Sequence, residues 1–269
     1  MKIQVGDIEF GGEKLCVIAG PCVIESREHC LKMAESLKNL LEKLEVPFVF
    51  KTSFDKANRT SVDSFRGPGL DDGLAILQDV KEQLDVIVLT DIHEPRQASP
   101  VAEVVDIVQI PAFLCRQTSL LLAAGKTGSA INVKKGQFIA PWDVKPITKK
   151  IESTGNHQII ITDRGVSFGY NTLISDMRSI PIIQKIGYPV VFDATHSAQR
   201  PGEMGSKTGG DREMIPVLAR AAVAAGCDAI FLEVHDNVAH AKSDAATQWP
   251  LDQTEKLIRS LINIREIAF

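Results

Sequence analysis

Short aliphatic runs recur along the chain at 15–19, 48–52, 86–89, 107–110, 130–133, 159–162, 190–193 and 229–233. They are rich in Val and Ile and show little polar alternation, the pattern of strands buried on both faces in a parallel sheet. Between them apolar residues return every three or four positions. Cys30, Met33, Ala34, Leu37, Leu40, Leu41 and Leu44 mark one such helix face, and Leu257, Leu261, Ile264 and Ala268 mark another at the C-terminus. Asp71, Asp72, Asp143, Asp176, Asp211 and Asp252 stand near expected helix starts, where a carboxylate caps free N–H groups. Eight strand–helix repeats in 269 residues predict one α/β domain, 1–269, folded as a single (β/α)8 TIM barrel. Ahead of them, Ile3 and Val5, then Ile8 and Phe10, flank Gly6-Asp7 as a hairpin does. This short N-terminal β-hairpin, within 1–13, is expected to close the bottom of the barrel.

Composition narrows the function classes. Hydrophobic residues make up 44% and aromatics only 6%, which suits helix-covered parallel strands better than a β-sandwich. A net charge of −4 gives no global basic field for nucleic acid or an anionic membrane. No apolar run approaches the length of a membrane span, and the alternation in residues 1–10 predicts no secretory leader. Cys16, Cys22, Cys30, Cys115 and Cys227 are widely spaced and odd in number, so reduced thiols in a cytoplasmic protein are expected.

Barrels of this class carry their chemistry at the C-terminal strand ends. Those positions here hold Cys22, Lys51, Asp91, Gln109, Lys134, Arg164, His196 and Glu233, every one able to bind a ligand. The segment after the second run adds Ser53, Lys56, Asn58, Arg59, Thr60 and Arg66. Its cations and hydroxyls suit a phosphorylated or carboxylated substrate, and Lys134 and Arg164 should face the same opening. After the seventh run, Gly202, Gly205, Gly209 and Gly210 suggest a mobile flap.

Closing the barrel brings the eighth strand beside the first and the seventh. Cys22, His196, Glu233 and Asp244 then become neighbours, a mixed thiolate, imidazole and carboxylate set for Zn²⁺, Fe²⁺ or Mn²⁺. Strand alternation is expected to point His235 away from Glu233. His29, His157 and His240 read as surface residues, and His93 as a residue that can line the site.

Several segments together resemble the 3-deoxy-D-manno-octulosonate 8-phosphate synthase family. They are Ile18-Ala-Gly-Pro-Cys22, Phe50-Lys-Thr-Ser-Phe-Asp-Lys-Ala-Asn-Arg-Thr60, Gln109-Ile-Pro-Ala-Phe-Leu-Cys-Arg-Gln117, Asn132-Val-Lys-Lys-Gly-Gln-Phe138, Asp193-Ala-Thr-His-Ser197 and Ser243-Asp-Ala-Ala-Thr-Gln248. The resemblance implies an enzyme, usually tetrameric, that condenses phosphoenolpyruvate with arabinose 5-phosphate on the route to bacterial lipopolysaccharide. It assigns Lys56, Lys134 and Arg164 to phosphoenolpyruvate, with Gln109, Pro111, Ala112 and Phe113 beside them. It assigns Asn58, Arg59 and Thr60 to the pentose phosphate, with Lys51, Ser53 and Asp91 between the two substrates. Lys56, Asn58, Asp91, Lys134 and His196 are the catalytic residues this implies, and Arg116 is placed toward a neighbouring subunit. Cys rather than Asn after Gly-Pro is the mark of the metal-dependent class, which implies one divalent ion per subunit held by Cys22, His196, Glu233 and Asp244.

The nearest rival is the related heptulosonate 7-phosphate synthase, which uses a four-carbon aldose phosphate. That resemblance would show Lys-Pro-Arg-Thr where this chain has Lys56-Ala57-Asn58-Arg59-Thr60. A non-catalytic sugar-phosphate-binding barrel would have lost a rim residue such as Lys134 or His196, and neither is lost.

Overall fold

The structure is a computed structural model, described for residues 1–202 and 209–268. Among the described residues, eight parallel strands close a barrel: Cys16–Gly20, Phe48–Lys51, Ile87–Asp91, Ile107–Ile110, Ala130–Lys134, Ile159–Asp163, Val190–Asp193 and Ala229–His235. They are called strands 1 to 8. Each pairs with the next, and strand 8 closes the ring on strand 1 through Ala229↔Cys16 to Glu233↔Gly20. The expected runs lie within one residue of these strands, except that strand 3 runs two residues further, to Asp91, and strand 8 two further, to His235.

Alternation along the strands divides the core in two. Outward residues such as Val17, Phe50, Val108, Ile131, Ile161, Phe192 and Leu232 pack under the helices. Inward residues Ile18, Val49, Leu89, Ile107, Ile160, Val191 and Phe231 fill the barrel, and Ile3, Val5, Ile8 and Phe10 complete that inner cluster from below. The hairpin Ile3–Val5/Ile8–Phe10 is therefore the floor of the barrel. It turns through Gly6, at φ 56°, where an added Cβ would lie 2.6 Å from Ile87.

A helix follows each strand, beginning with Arg27–Lys43 and ending with Leu251–Ala268. Cys30, Met33, Ala34, Leu37 and Leu41 form the buried stripe of the first, as their spacing predicts. The expected aspartate caps are a correction at all but one position. Asp71 and Asp72 lie inside the first turn of Leu70–Leu84 behind the N-cap Gly69, and Asp252 lies in the first turn of the last helix. Asp143 and Asp211 make no side-chain cap bond. Acidic groups at these five positions favour the helix dipole without closing a cap bond. Asp176 alone among the six does as expected, its carboxylate accepting from the Arg178 N–H just ahead of Ser179–Gln184. Side-chain caps occur at Ser26, which accepts from the His29 N–H, and at Asp193, which accepts from that of His196.

Candidate active site

The C-terminal strand ends surround a cleft of about 560 Å³. Strand 2 brings Lys51, strand 3 Asp91, strand 4 Gln109, strand 5 Lys134 and strand 8 Glu233, while Arg164 and His196 stand just beyond strands 6 and 7. The segment after strand 2 contributes Lys56, Asn58, Arg59 and Thr60, and the turn after strand 4 Pro111, Ala112 and Phe113. Asp244 completes the wall from the loop after strand 8. Cys22 and Ser53 are buried behind this lining. Arg66 is a correction: it turns outward to a bidentate pair with Asp55 and is not part of the cleft wall. The expected flap falls largely on residues 203–208, outside the described residues; its ends pair as Gln199–Arg200 with Gly209–Gly210.

One network fixes one side of the cleft. Lys51 Nζ lies 2.9 Å from Ser53 Oγ, Ser53 donates to Asp91 Oδ1 at 2.5 Å, and His93 Nε2 is 3.0 Å from Asp91 Oδ2. Burial alone would raise the Asp91 pKa, but Lys51 and His93 hold it far below the usual carboxylate range. Opposite, Lys134 bonds Asp193 and sits 3.3 Å from the centre of the Phe231 ring. Its burial lowers the ammonium pKa to about 8 despite Asp193. Arg164 donates to Gln199 Oε1 at 2.9 Å, which sets its guanidinium plane.

The carboxylate, thiol and imidazole side is short of partners. Glu233 is 1% exposed, yet neither of its oxygens accepts a hydrogen bond. Burial penalises its charge, but His196, Lys56, Lys51 and Lys134 outweigh that and bring its pKa to about 2. Cys22, Glu233 and Asp244 each present a ligand atom, all within 4.8 Å of one another. Cys22 Sγ is 3.6 Å from Asp244 Oδ2, and His196 Nε2 is 3.6 Å from Glu233 and 3.8 Å from Asp244. Ligand atoms about 2.0–2.3 Å from a tetrahedral ion stand about 3.3–3.8 Å apart, so these separations fit its edges. Asp193 Oδ2 lies 2.8 Å from His196 Nδ1, leaving Nε2 turned to the set. Without a cation, burial and then Glu233 push the Cys22 thiol pKa well up. A divalent ion would reverse that and give the Glu233 oxygens, which face Lys56 at 3.5 Å but accept no hydrogen bond, a direct partner. The residues present therefore fit a borderline transition ion.

His235 stands outside this set for a different reason from the one expected. Residues 233 and 235 share a parity, so alternation does not separate them; Glu25 and Asp236, each within 3.3 Å, draw the His235 ring aside. Sequence reasoning missed Asp193, Phe231, Gln199 and Ser243. Asp193 carried a usable signal, an acid at an inward strand terminus three residues before His196. Ser243, 3.0 Å from Cys22 and 2.7 Å from Arg59, had none because that contact spans the chain.

Cationic cleft, strand-end residues and floor hairpin together define a barrel enzyme for anionic substrates, and a profile of the DAHP synthetase I family matches residues 1–268. The chain belongs to that family. Similar relatives carry the name 2-dehydro-3-deoxyphosphooctonate aldolase. That of Protochlamydia amoebophila is 54% identical over 267 residues, 99% of this chain and 97% of the relative. That of Cyanothece sp. is 57% identical, covering 98% of both chains, and that of Geotalea uraniireducens is 56% identical over 99% of this chain and 98% of its own.

Proposed function

We propose that this chain is an enzyme that joins phosphoenolpyruvate to arabinose 5-phosphate with water, giving 3-deoxy-D-manno-octulosonate 8-phosphate and inorganic phosphate, the synthase step toward lipopolysaccharide. The observation that carries this is the convergence of Lys51, Lys56, Arg59, Lys134 and Arg164, from strands 2 and 5 and the segments after strands 2 and 6, on one cleft. Cations so crowded are stable only against anions, and Asp91, Asp193 and Glu233 answer part of that charge. Two phosphorylated substrates answer the rest.

In this reading Lys134 and Arg164, backed by Lys56, Gln109 and the Pro111-Ala112-Phe113 turn, hold the phosphoenolpyruvate anion. Asn58, Arg59 and Thr60, nearer the cleft mouth, take the pentose phosphate. C3 of phosphoenolpyruvate bonds to the aldehyde carbon, whose oxygen takes a proton. Water adds its oxygen to C2 and gives up a proton. The C2–O bond to phosphate then breaks as the C2 hydroxyl becomes the keto oxygen and passes its proton to the departing group, so inorganic phosphate leaves with the bridging oxygen. Lys51, Ser53 and Asp91 form a ready chain between the two substrates for proton movement. Holding both reactants face to face supplies a large share of the rate by proximity.

Cys22, His196, Glu233 and Asp244 would hold one divalent ion per subunit (Zn²⁺, Fe²⁺ or Mn²⁺), which supplies Lewis-acid polarisation at the aldehyde or a water. Their fit rests on the buried Glu233 oxygens, which accept no hydrogen bond, and on the separations given above. We also place the protein in the cytoplasm as a homotetramer. The first is supported by five free, buried cysteines, and by the absence of any helix long and apolar enough to cross a membrane among the described residues. The second is supported by Phe113, Phe138, Trp142, Phe168 and Tyr170, aromatic yet exposed in the single chain, and by Arg116, exposed close to Phe113 in sequence and open to a neighbour.

The test is aldose preference. Phosphate release from phosphoenolpyruvate should be faster with arabinose 5-phosphate than with erythrose 4-phosphate by at least about tenfold in kcat/KM, the discrimination a lost set of polar contacts gives. A preference for the tetrose would move the chain to the heptulosonate reaction. Binding of both substrates without phosphate release would make it a non-catalytic barrel.

A further inference from the structure

A second group of metal-ligating side chains lies behind the cleft wall. Glu25, His29 and His235 each present a ligand atom, all within 4.8 Å of one another. Glu25 stands in extended chain just before Ser26, the N-cap of the helix Arg27–Lys43, and His29 lies in that helix's first turn. His235 ends strand 8 and is buried, and its ring centre is 4.7 Å from that of His29. His29 is not the surface residue the sequence suggests. Its Nε2 lies 3.1 Å from Asp236 Oδ1, while its Nδ1 is buried and has no partner. A carboxylate on one nitrogen and a lone pair on the other is how a metal-ligating histidine is held. His235 Nδ1 accepts from the Asn237 N–H at 2.9 Å, which puts the ring proton on Nε2, 3.3 Å from Glu25 Oε1. That separation equals a tetrahedral edge around an ion with bonds of about 2.0–2.1 Å.

We propose that Glu25, His29 and His235 form a second divalent transition-metal site, two imidazoles and a carboxylate with water in the fourth position. The ion takes the place of the His235 Nε2 proton, and a rotation of the partly exposed His29 ring closes the coordination. Zn²⁺ suits this donor set. The site touches each segment that carries a residue of the first group except that of His196. Glu25 follows Cys22 by three residues, His235 follows Glu233 by two, and Glu25 Oε1 also accepts from the N–H of Lys242, two residues before Asp244. An ion here therefore braces the ends of strands 1 and 8 and the loop after strand 8.

The site does not depend on the proposed activity, and metal stoichiometry separates the two. Full-length protein stripped of metal and titrated with Co²⁺ should take up two ions per chain, only one of them with a thiolate-to-cobalt charge-transfer band. Cys22→Ser should lose the band and keep one ion. Cys22→Ser with His29→Gln should bind none, and Zn²⁺ should raise the Tm of the single variant but not of the double one. If His29→Gln disturbs folding, Glu25→Gln must give the same loss. A single ion per wild-type chain that shows the thiolate band, or an ion retained by both double variants, overturns the second site. Two wild-type ions without the thiolate band would leave it standing and count against the Cys22 centre instead.

Discussion

Cys22 and Lys134 are the side chains whose buried environments make the sharpest demands. Cys22 is fully buried against Ser243 and Asp244 and presents sulfur to a group containing a buried carboxylate that accepts no hydrogen bond. Asparagine fills similar volume and needs no cation to stay neutral. Cys22→Asn should therefore stay folded, lose the bound ion, and keep residual phosphate release that chelators no longer reduce; an inactive, well-folded variant would make the ion indispensable. Lys134 is charged below its pKa of about 8 and neutral above it. The KM for phosphoenolpyruvate should therefore rise by about fivefold between pH 8 and 9. A KM flat across that interval would remove Lys134 from the anion site. Arg66 gives the opposite case. Its outward pair with Asp55 predicts that Arg66→Ala changes neither KM beyond about twofold, a surface pair being worth little.

Among the elements, the strand ends are the most legible part of the sequence. Parallel strands covered on both sides read as unbroken aliphatic runs, so the residue closing each run can be numbered from the pattern alone. That pattern sets Lys51, Asp91, Gln109, Lys134, Arg164, His196 and Glu233 around one opening, where they are found. It says less where a side chain's role depends on distant contacts. The aspartates near helix starts cannot be told from caps, because capping depends on the φ/ψ of one residue and the reach of one oxygen. His29 is hidden because its partners Asp236 and His235 lie more than 200 residues away. Gly20 shows how tightly the elements fix the site. A Cβ there would meet the Lys51 carbonyl oxygen at 2.0 Å, so strands 1 and 2 close only around glycine. Gly20→Ala should cost about 1–3 kcal/mol in denaturant unfolding and lower kcat by displacing Lys51 and Cys22. Unchanged stability and rate would show that the strand ends yield more than this packing allows.

At the scale of the molecule, the barrel divides labour between its two ends. The hairpin seals the lower end with Ile3, Val5, Ile8 and Phe10, and the interior above it is apolar up to the layer of Lys51, Asn132, Lys134 and Glu233. Charge is thereby confined to one mouth, where burial strengthens each ion pair and makes every unanswered charge costly. Asn132, buried between Gln109 and Thr162, bonds both and forms the polar floor of that mouth. Such a layout suits a reaction that must bring two anions together while admitting one water. The most direct test is phosphate release from phosphoenolpyruvate with arabinose 5-phosphate, measured on the protein as purified, after chelation, and after returning a divalent ion. Release that depends on the pentose phosphate, falls on chelation and recovers with the ion is the predicted result. No release from folded, metal-loaded protein with both substrates present would contradict the account.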